Sequence, residues 1–359
     1  MDLRQESTES LRRLYILSSS EVEALYGRPN FSDEERAYFF ALTAEEQREL
    51  VALHTFGSRI LFILQLGYFK AMQQFYVFEP AEVAKDVSWI QQAWFPQLDE
   101  PITLAGKRTR IKQQEIILRL TGFRLCGATE REQLRKRALQ AIRISSKPLY
   151  LLRDLRHYLA EQQIVAPGYS TLQDIISVTL TVEQERLNAL LDKHLLPNDG
   201  EALLQLLKNP HGLYEITRIR REPKDFGEKE MRQEVERGKQ IATLYEIAQR
   251  ILPHLGISNE SIKYYASLVA YYSVYKLQRF ERNTTFVYLL CFVQYRYHQM
   301  HDNLLNCLIY QVHLYNETAR KVAKERCQIT PANVPPIYGN SVPPVYGHDV
   351  PAARTISHR

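Results

Sequence analysis

Five pairs of a serine or threonine with a glutamate or glutamine three residues on stand out at the heads of apolar runs. The pairs are Ser32 with Glu35, Thr43 with Glu46, Thr129 with Glu132, Ser170 with Gln173 and Thr181 with Gln184. In such a capping box the hydroxyl accepts from the N–H three residues on, and the acid or amide reaches back to the N–H of the cap. Two donors that helix geometry orphans are thereby satisfied. Each box leads into apolar residues spaced by three and four, the period of an amphipathic helix. The pattern predicts an all-α chain. Only 14 of 359 residues are glycine, which disfavours Gly-rich β architectures and nucleotide-cradling loops.

Helices are predicted near 20–26, 32–41, 44–54, 57–74, 80–95, 107–121, 129–144, 147–163, 170–178, 181–195, 200–207, 229–252, 258–280 and 283–326, with room for one break in the last. At 45% hydrophobic residues the chain can bury a core, and its length fits two or three domains. "VAPGYS" at 165–170 joins a Pro-Gly stop to a new serine cap and is the best boundary. A second break falls at 218–230, around Pro223 and Gly227. The expected organisation is one helical domain over 1–165, a second over 166–327, and a tail over 328–359. That tail holds six prolines and the echo "VPPIYG", "VPPVYG". Its composition predicts disorder.

The net charge of +5 is unevenly spread: residues 1–100 carry −7, residues 101–160 carry +10, and the remainder +2. An acidic head before a basic block points to a polyanion partner for the second block. Cys126, Cys291, Cys307 and Cys327 form no CxxC pair, so free thiols in a reducing compartment are expected. The N-terminus lacks the apolar stretch of a signal peptide. The longest apolar run, "FVYLLCFV" at 286–293, is far short of the ~20 residues that span a bilayer. A cytoplasmic location without membrane contact follows as an expectation. HExxH, GxSxG and GxxxxGK[ST] are all missing, and no histidine stands at a diagnostic spacing from a cysteine or aspartate. No catalytic, cofactor-binding or metal-binding residue is assigned, and no enzyme activity is expected.

Four basic stretches are candidates for DNA contact. In "GKRTRIKQQEIILRL", Lys107, Arg108, Arg110 and Lys112 open a helix with an apolar stripe of Ile111, Ile116, Leu118 and Leu120. Cations there oppose the helix dipole unless an anion is present. In "REQLRKRALQAIRISSKP", Arg131, Arg135, Lys136, Arg137, Arg143 and Lys147 line a helix whose Leu134, Leu139 and Ile142 face inward. Both stretches fit a phosphate backbone, or a solvated face, the second partly neutralised by the acidic head. In "YSTLQDIISVTLTVEQERLNALLDKHL" a short helix, a break near Thr179 and a longer helix have the lengths of a helix-turn-helix. Glu183, Gln184, Arg186 and Asn188 then stand where base edges would be read, although any tight helical hairpin looks the same. Arg218, Arg220 and Arg221, with Lys224, precede Pro223 or flank it as a phosphate-touching linker or a solvated turn.

"KYYASLVAYYSVYKLQRF" at 263–280 mixes tyrosines with cations, as nucleic-acid surfaces do. On a helical wheel Tyr264, Tyr271 and Tyr275 share one stripe, Tyr265 and Tyr272 flank it, and the other face is small and apolar. Both faces suit packing, so the stretch reads as a central helix whose rings join helices.

Several blocks, in order, resemble the N-terminal half of replicative transposases of the Tn-three family. They include "LSSSEVEALYGRPNFSDEERAYFFAL" (17–42), "SRILFILQLGYFKAMQQFYVF" (58–78), "IVAPGYSTLQDII" (164–176), "GLYEITRIRREPKDF" (212–226), "LGISNESIKYYASLVAYYSVYKLQRF" (255–280) and "YLLCFVQYRYHQMHDNLLNCLIYQV" (288–312). The resemblance covers about residues 12–327. It implies a helical unit that binds the terminal inverted repeats, double-stranded DNA, without the RNase-H-like domain whose Asp/Asp/Glu triad cuts strands. The family pattern ends near Gln328, as in a truncated or frameshifted copy. The alternatives are an inactive remnant, or an interaction protein that competes for transposon ends or pairs with a full-length transposase or with itself.

Overall fold

A computed structural model describes residues 14–97, 103–209 and 212–328. The expected Pro-rich tail lies outside these residues. Among them are fifteen α-helices, of which Glu215–Ile219 falls outside the predicted set, and an isolated bridge between Arg124 and Ile164 is the sole β pairing there.

Helices α1 (Ser19–Tyr26), α2 (Asp33–Phe39) and α3 (Ala44–Val51) each start at a complete capping box, from Ser18, Ser32 and Thr43 respectively. Helix α4 (Phe56–Met72) is apolar all round, and everything from Ile60 to Phe69 is buried. A helix with no polar face must lie at a centre. Around it pack α2, α3, α5 (Ala84–Trp94) and α6 (Lys107–Thr121), with Phe31, Phe40, Ile90 and Ile117 closing the first core.

A second core joins α7 (Ala128–Ala141), α8 (Pro148–Glu161) and the start of α9 (Tyr169–His194), through Leu134, Leu151, Leu155, Leu172 and Ile176. The third holds the end of α9 with α10 (Pro197–Gln205), α11 (Glu215–Ile219), α12 (Glu228–Leu255), α13 (Asn259–Tyr271), α14 (Val274–Gln278) and α15 (Arg282–Gln328). Its axis is the run Phe286–Val293, buried apart from the half-buried Tyr288.

Several expectations are corrected. α9 is one unbroken helix of 26 residues, so the break at Thr179 and the helix-turn-helix are absent. Thr179 and Thr181 turn their hydroxyls back to the carbonyls of Ile175 and Ser177, at 2.8 and 3.1 Å, and so sit inside the helix instead of capping it. Ser170 follows a start at Gly168, and Thr129 follows one at Gly127, whose N–H donates to Glu130 at 3.0 Å. The helix expected over 258–280 divides, because Tyr272 is extended and Ser273 caps a new helix through the N–H of Lys276. Conversely α15 runs 47 residues without a break.

Buried charge ties the first core together. Asp86, 3% exposed, accepts from Arg36 at 2.7 Å and from the Tyr68 hydroxyl, and Arg28 stands 3.5 Å away. Removing one partner of such a group strands the others. Asp86→Ala is expected to lower the unfolding free energy by about 3–5 kcal/mol, read by urea titration. Asp33→Ala, which removes only an exposed partner of Arg36, should cost less than about 1 kcal/mol.

Candidate nucleic-acid interface

The acidic residues sort the candidate cations into two sets. Arg137 makes a bidentate pair with Asp154, both contacts at 2.7 Å, which fastens α7 to α8. Burial leaves that carboxylate little water, and the pairing holds the Arg137 guanidinium above its ordinary pKa. Glu183, 6% exposed near the middle of α9, takes Arg186 through bonds of 2.9 and 2.7 Å and draws Arg143 to 3.4 Å. Arg135 pairs with Glu132 at 3.0 Å, and Arg218 with Glu215 at 3.4 Å. Burial raises the Cys126 thiol pKa, against the lowering influence of the nearby Arg131 charge. Gln184 donates to Asn188 at 2.8 Å, and Asn188 to Glu281. The four side chains expected at the head of a recognition helix are therefore mid-helix and engaged internally.

The second set has no acidic partner among the described residues: Lys107, Arg108, Arg110 and Lys112 on α6, then Lys136, Lys147 and Arg221. Lys107, Arg108 and Lys112 are exposed and Arg110 half-buried. Helices α1, α2 and α3 have acids in their first turns, which complement the positive end of the helix dipole. α6 has none, and Gly106 supplies no capping side chain. At the opposite end of α6, Arg119 is paired with Glu49 at 2.7 Å. Positive charge is thus concentrated at one end of the helix, where no side chain among the described residues caps the N–H groups. Inward contact comes from Gln113 and Ile117, with Gln113 bridging to Gln65 and to the Ser58 carbonyl, while Ile111 is 45% exposed. Leu139 of α7, expected inward, is 43% exposed; Ala138 holds the inward position.

A groove of about 510 Å³ between α11 and α12 gathers Arg218, Arg221, Arg232 and Arg237 around Thr217 and Gln240. Sequence reading missed Arg232 and Arg237. Their spacing of five, alternating with Gln233, Glu236 and Gln240, marks one helix face only once α12 is known to pack beside α11. Of its four arginines only Arg221 lacks an acidic partner among the described residues: Arg218 pairs with Glu215, Arg232 with Glu228 and the buried Arg237 with Glu234, while Glu236 takes Lys239 at 2.8 Å. Arg220 does not line it; the Nε and Nη2 atoms are buried without a hydrogen-bond partner, and burial lowers the pKa.

The tyrosine stretch also departs from expectation. Tyr265 is the buried ring, stacked on Tyr288 at 5.4 Å, and Tyr264 is half-buried with its pKa pushed up to about 12 by burial. Tyr271 and Tyr275 are 85% and 68% exposed. Tyr271 keeps its wheel position but lies in the exposed last turn of α13, and the extended Tyr272 re-aims Tyr275. Lys276 Nζ lies 3.8 Å from the Tyr272 ring centroid, and Arg279 stands 5.4 Å above Tyr275. The corner between α13 and α14 is an exposed aromatic and cationic surface.

Among the described residues no group of three or more His, Cys, Asp or Glu is arranged to hold a metal ion, and no helix is long and apolar enough to cross a membrane. Residues 16–179, from just before α1 to the middle of α9, match the family model described as Domain of unknown function (DUF4158). No curated protein matches the chain.

These placements separate packing from surface roles within one stretch. Tyr265→Ala should cost about 3–5 kcal/mol of stability, the range for a buried aromatic. Tyr271→Ala should change it by less than about 0.5 kcal/mol. Thermal melts of the two variants check both values.

Proposed function

We propose that the chain binds duplex DNA at the terminal inverted repeats of a mobile element, as the N-terminal portion of a Tn-three family transposase, and does not itself cut strands. The observation that carries this reading is the start of α6. Lys107, Arg108, Arg110 and Lys112 crowd a helix N-terminus that has neither an acid nor a side-chain cap. Such an arrangement is electrostatically unfavourable alone and favourable against phosphates, which accept from free N–H groups and neutralise cations together. Arg221, the unpaired arginine of the groove beside α12, offers a second phosphate contact. The α13–α14 corner offers rings and cations of the kind that meet nucleic acid. The ordered sequence blocks supply the element-end specificity of the proposal.

In this reading phosphate contact and base readout are separate tasks. The unpaired cations position the duplex, while Arg137 and Arg143 tie helices together and Arg186 is held within α9 by Glu183. The helix-turn-helix assignment of base readout to Gln184 and Arg186 is withdrawn with the helix break that suggested it.

Fluorescence anisotropy with an inverted-repeat duplex and a scrambled duplex, over a salt series, tests the proposal. Affinity should be higher for the inverted repeat and fall steeply with salt. The triple change Lys107→Ala, Arg108→Ala and Lys112→Ala should weaken binding to both duplexes alike and flatten the logarithmic salt slope by about 2–3. Equal affinity for both duplexes removes the sequence-specific part of the proposal, and an unchanged slope in the triple variant removes α6. Nicking of the duplex in Mg²⁺ would contradict the absence of cleavage.

A further inference from the structure

Beyond Cys307, α15 leaves its core. From Leu308 to Arg326 every residue is exposed except the half-buried Gln311. This projecting part is not polar. Leu305, Leu308, Val312, Tyr315, Ala319 and Val322 follow one another at intervals of three, four, three, four and three. That alternation is the a/d seam of a coiled coil sustained over about 27 Å of helix. The large members are open to solvent: Leu305 57%, Leu308 53%, Val312 57% and Tyr315 71%. The protein's own packing uses another side. Asn303 donates to Glu234 at 2.8 Å, Gln311 to the Phe226 carbonyl at 3.2 Å, and Tyr310 meets the Phe226 ring.

We propose that this seam pairs, antiparallel, with the same seam of a second copy of the chain. Three observations select that occupant. The positions flanking the seam are Ile309, Gln311, Asn316, Thr318 and Ala323, with a charge only at Glu325, so self-pairing meets little like-charge repulsion. Next, the two ends of the projecting segment differ in charge. Its tip bears Arg320, Lys321, Lys324 and Arg326. Its root lies against Phe226, whose carbonyl takes Gln311, with Asp225 and Glu230 alongside, both close enough to help raise the Cys307 pKa after burial itself. Antiparallel pairing sets each basic tip toward the partner's acidic root; parallel pairing sets tip beside tip. Finally, a two-fold axis between His313 and Leu314 matches large side chains with small ones. Leu305 then faces Val322, Leu308 faces Ala319, and Val312 faces Tyr315. The contact is isologous and closes at two copies.

Light scattering of the full chain during gel filtration should give a dimer mass at tens of micromolar. Leu308→Asp with Val312→Asp should give half that mass while circular dichroism is unchanged, because both side chains are exposed. Orientation is read in a Cys327→Ser background: Leu305→Cys and Val322→Cys chains should crosslink when mixed, and neither alone. A monomer at about 100 µM, a dimer that survives the double substitution, or crosslinking of either single variant alone would each overturn the proposal. So would a monomeric full chain that dimerises once residues 329–359 are removed, which would put that segment on the seam. No DNA enters this experiment, so its outcome stands apart from the DNA-binding reading.

Discussion

The pairing of α12 with α15 fixes the third core, and one buried carboxylate sets its register. Glu234 is fully buried. Arg237 lies 2.7 Å from it, Arg296 3.1 Å, and Asn303 donates to it at 2.8 Å. Arg296 also donates to the Ile219 and Arg221 carbonyls, both at 2.8 Å, so the same guanidinium closes the end of α11. A charge withdrawn from water is tolerable only where the geometry satisfies it. Sliding α15 by one residue would rotate Arg296 and Asn303 about 100° away from Glu234. Apolar packing alone would penalise that slip less sharply, because Phe286–Val293 is apolar on every side. The ionic node therefore determines where α15 leaves the core and which face it then shows.

The same contrast between claimed and unclaimed charge organises the surface. Residues 101–160 carry a net +10, but structure divides that excess. Asp154 and Glu183 draw Arg137 and Arg143 into contacts between helices. What remains outward is a smaller set headed by the α6 start. A basic composition describes both kinds of arginine identically. Only the position of a carboxylate on another helix distinguishes them.

That is also why the fold was more legible than the site. Capping boxes at Ser32 and Thr43, and the 3–4 apolar period, are local signals, and the all-α architecture follows from them. The boxes at Thr129, Ser170 and Thr181 misled for a local reason. A threonine hydroxyl can turn back to the carbonyl four residues earlier as readily as it can cap, and Thr181 does so; at Thr129 and Ser170 the helix had already begun, from Gly127 and Gly168. The tyrosine wheel failed at Tyr272, where the N-cap role of Ser273 restarts the helical phase. Arg232 and Arg237 could not be picked out, since the groove they line exists only when α11 and α12 are side by side. The seam on α15 was present in the sequence as spacing, but a stripe of that kind reads as core until its exposure is known.

α9 is the element shared by two cores. Ile176 packs in one and Leu187 in the other. They stand eleven residues apart, three helical turns to within about 20°. Both cores consequently grip the same side of one rod, and their mutual rotation is counted out by that number of residues. Insertions and deletions in this lineage should therefore be absorbed by loops such as 163–168, and be excluded between Ile176 and Leu187. There a single added residue would turn the third core, with its groove and its projecting helix, by about 100° against the rest of the molecule.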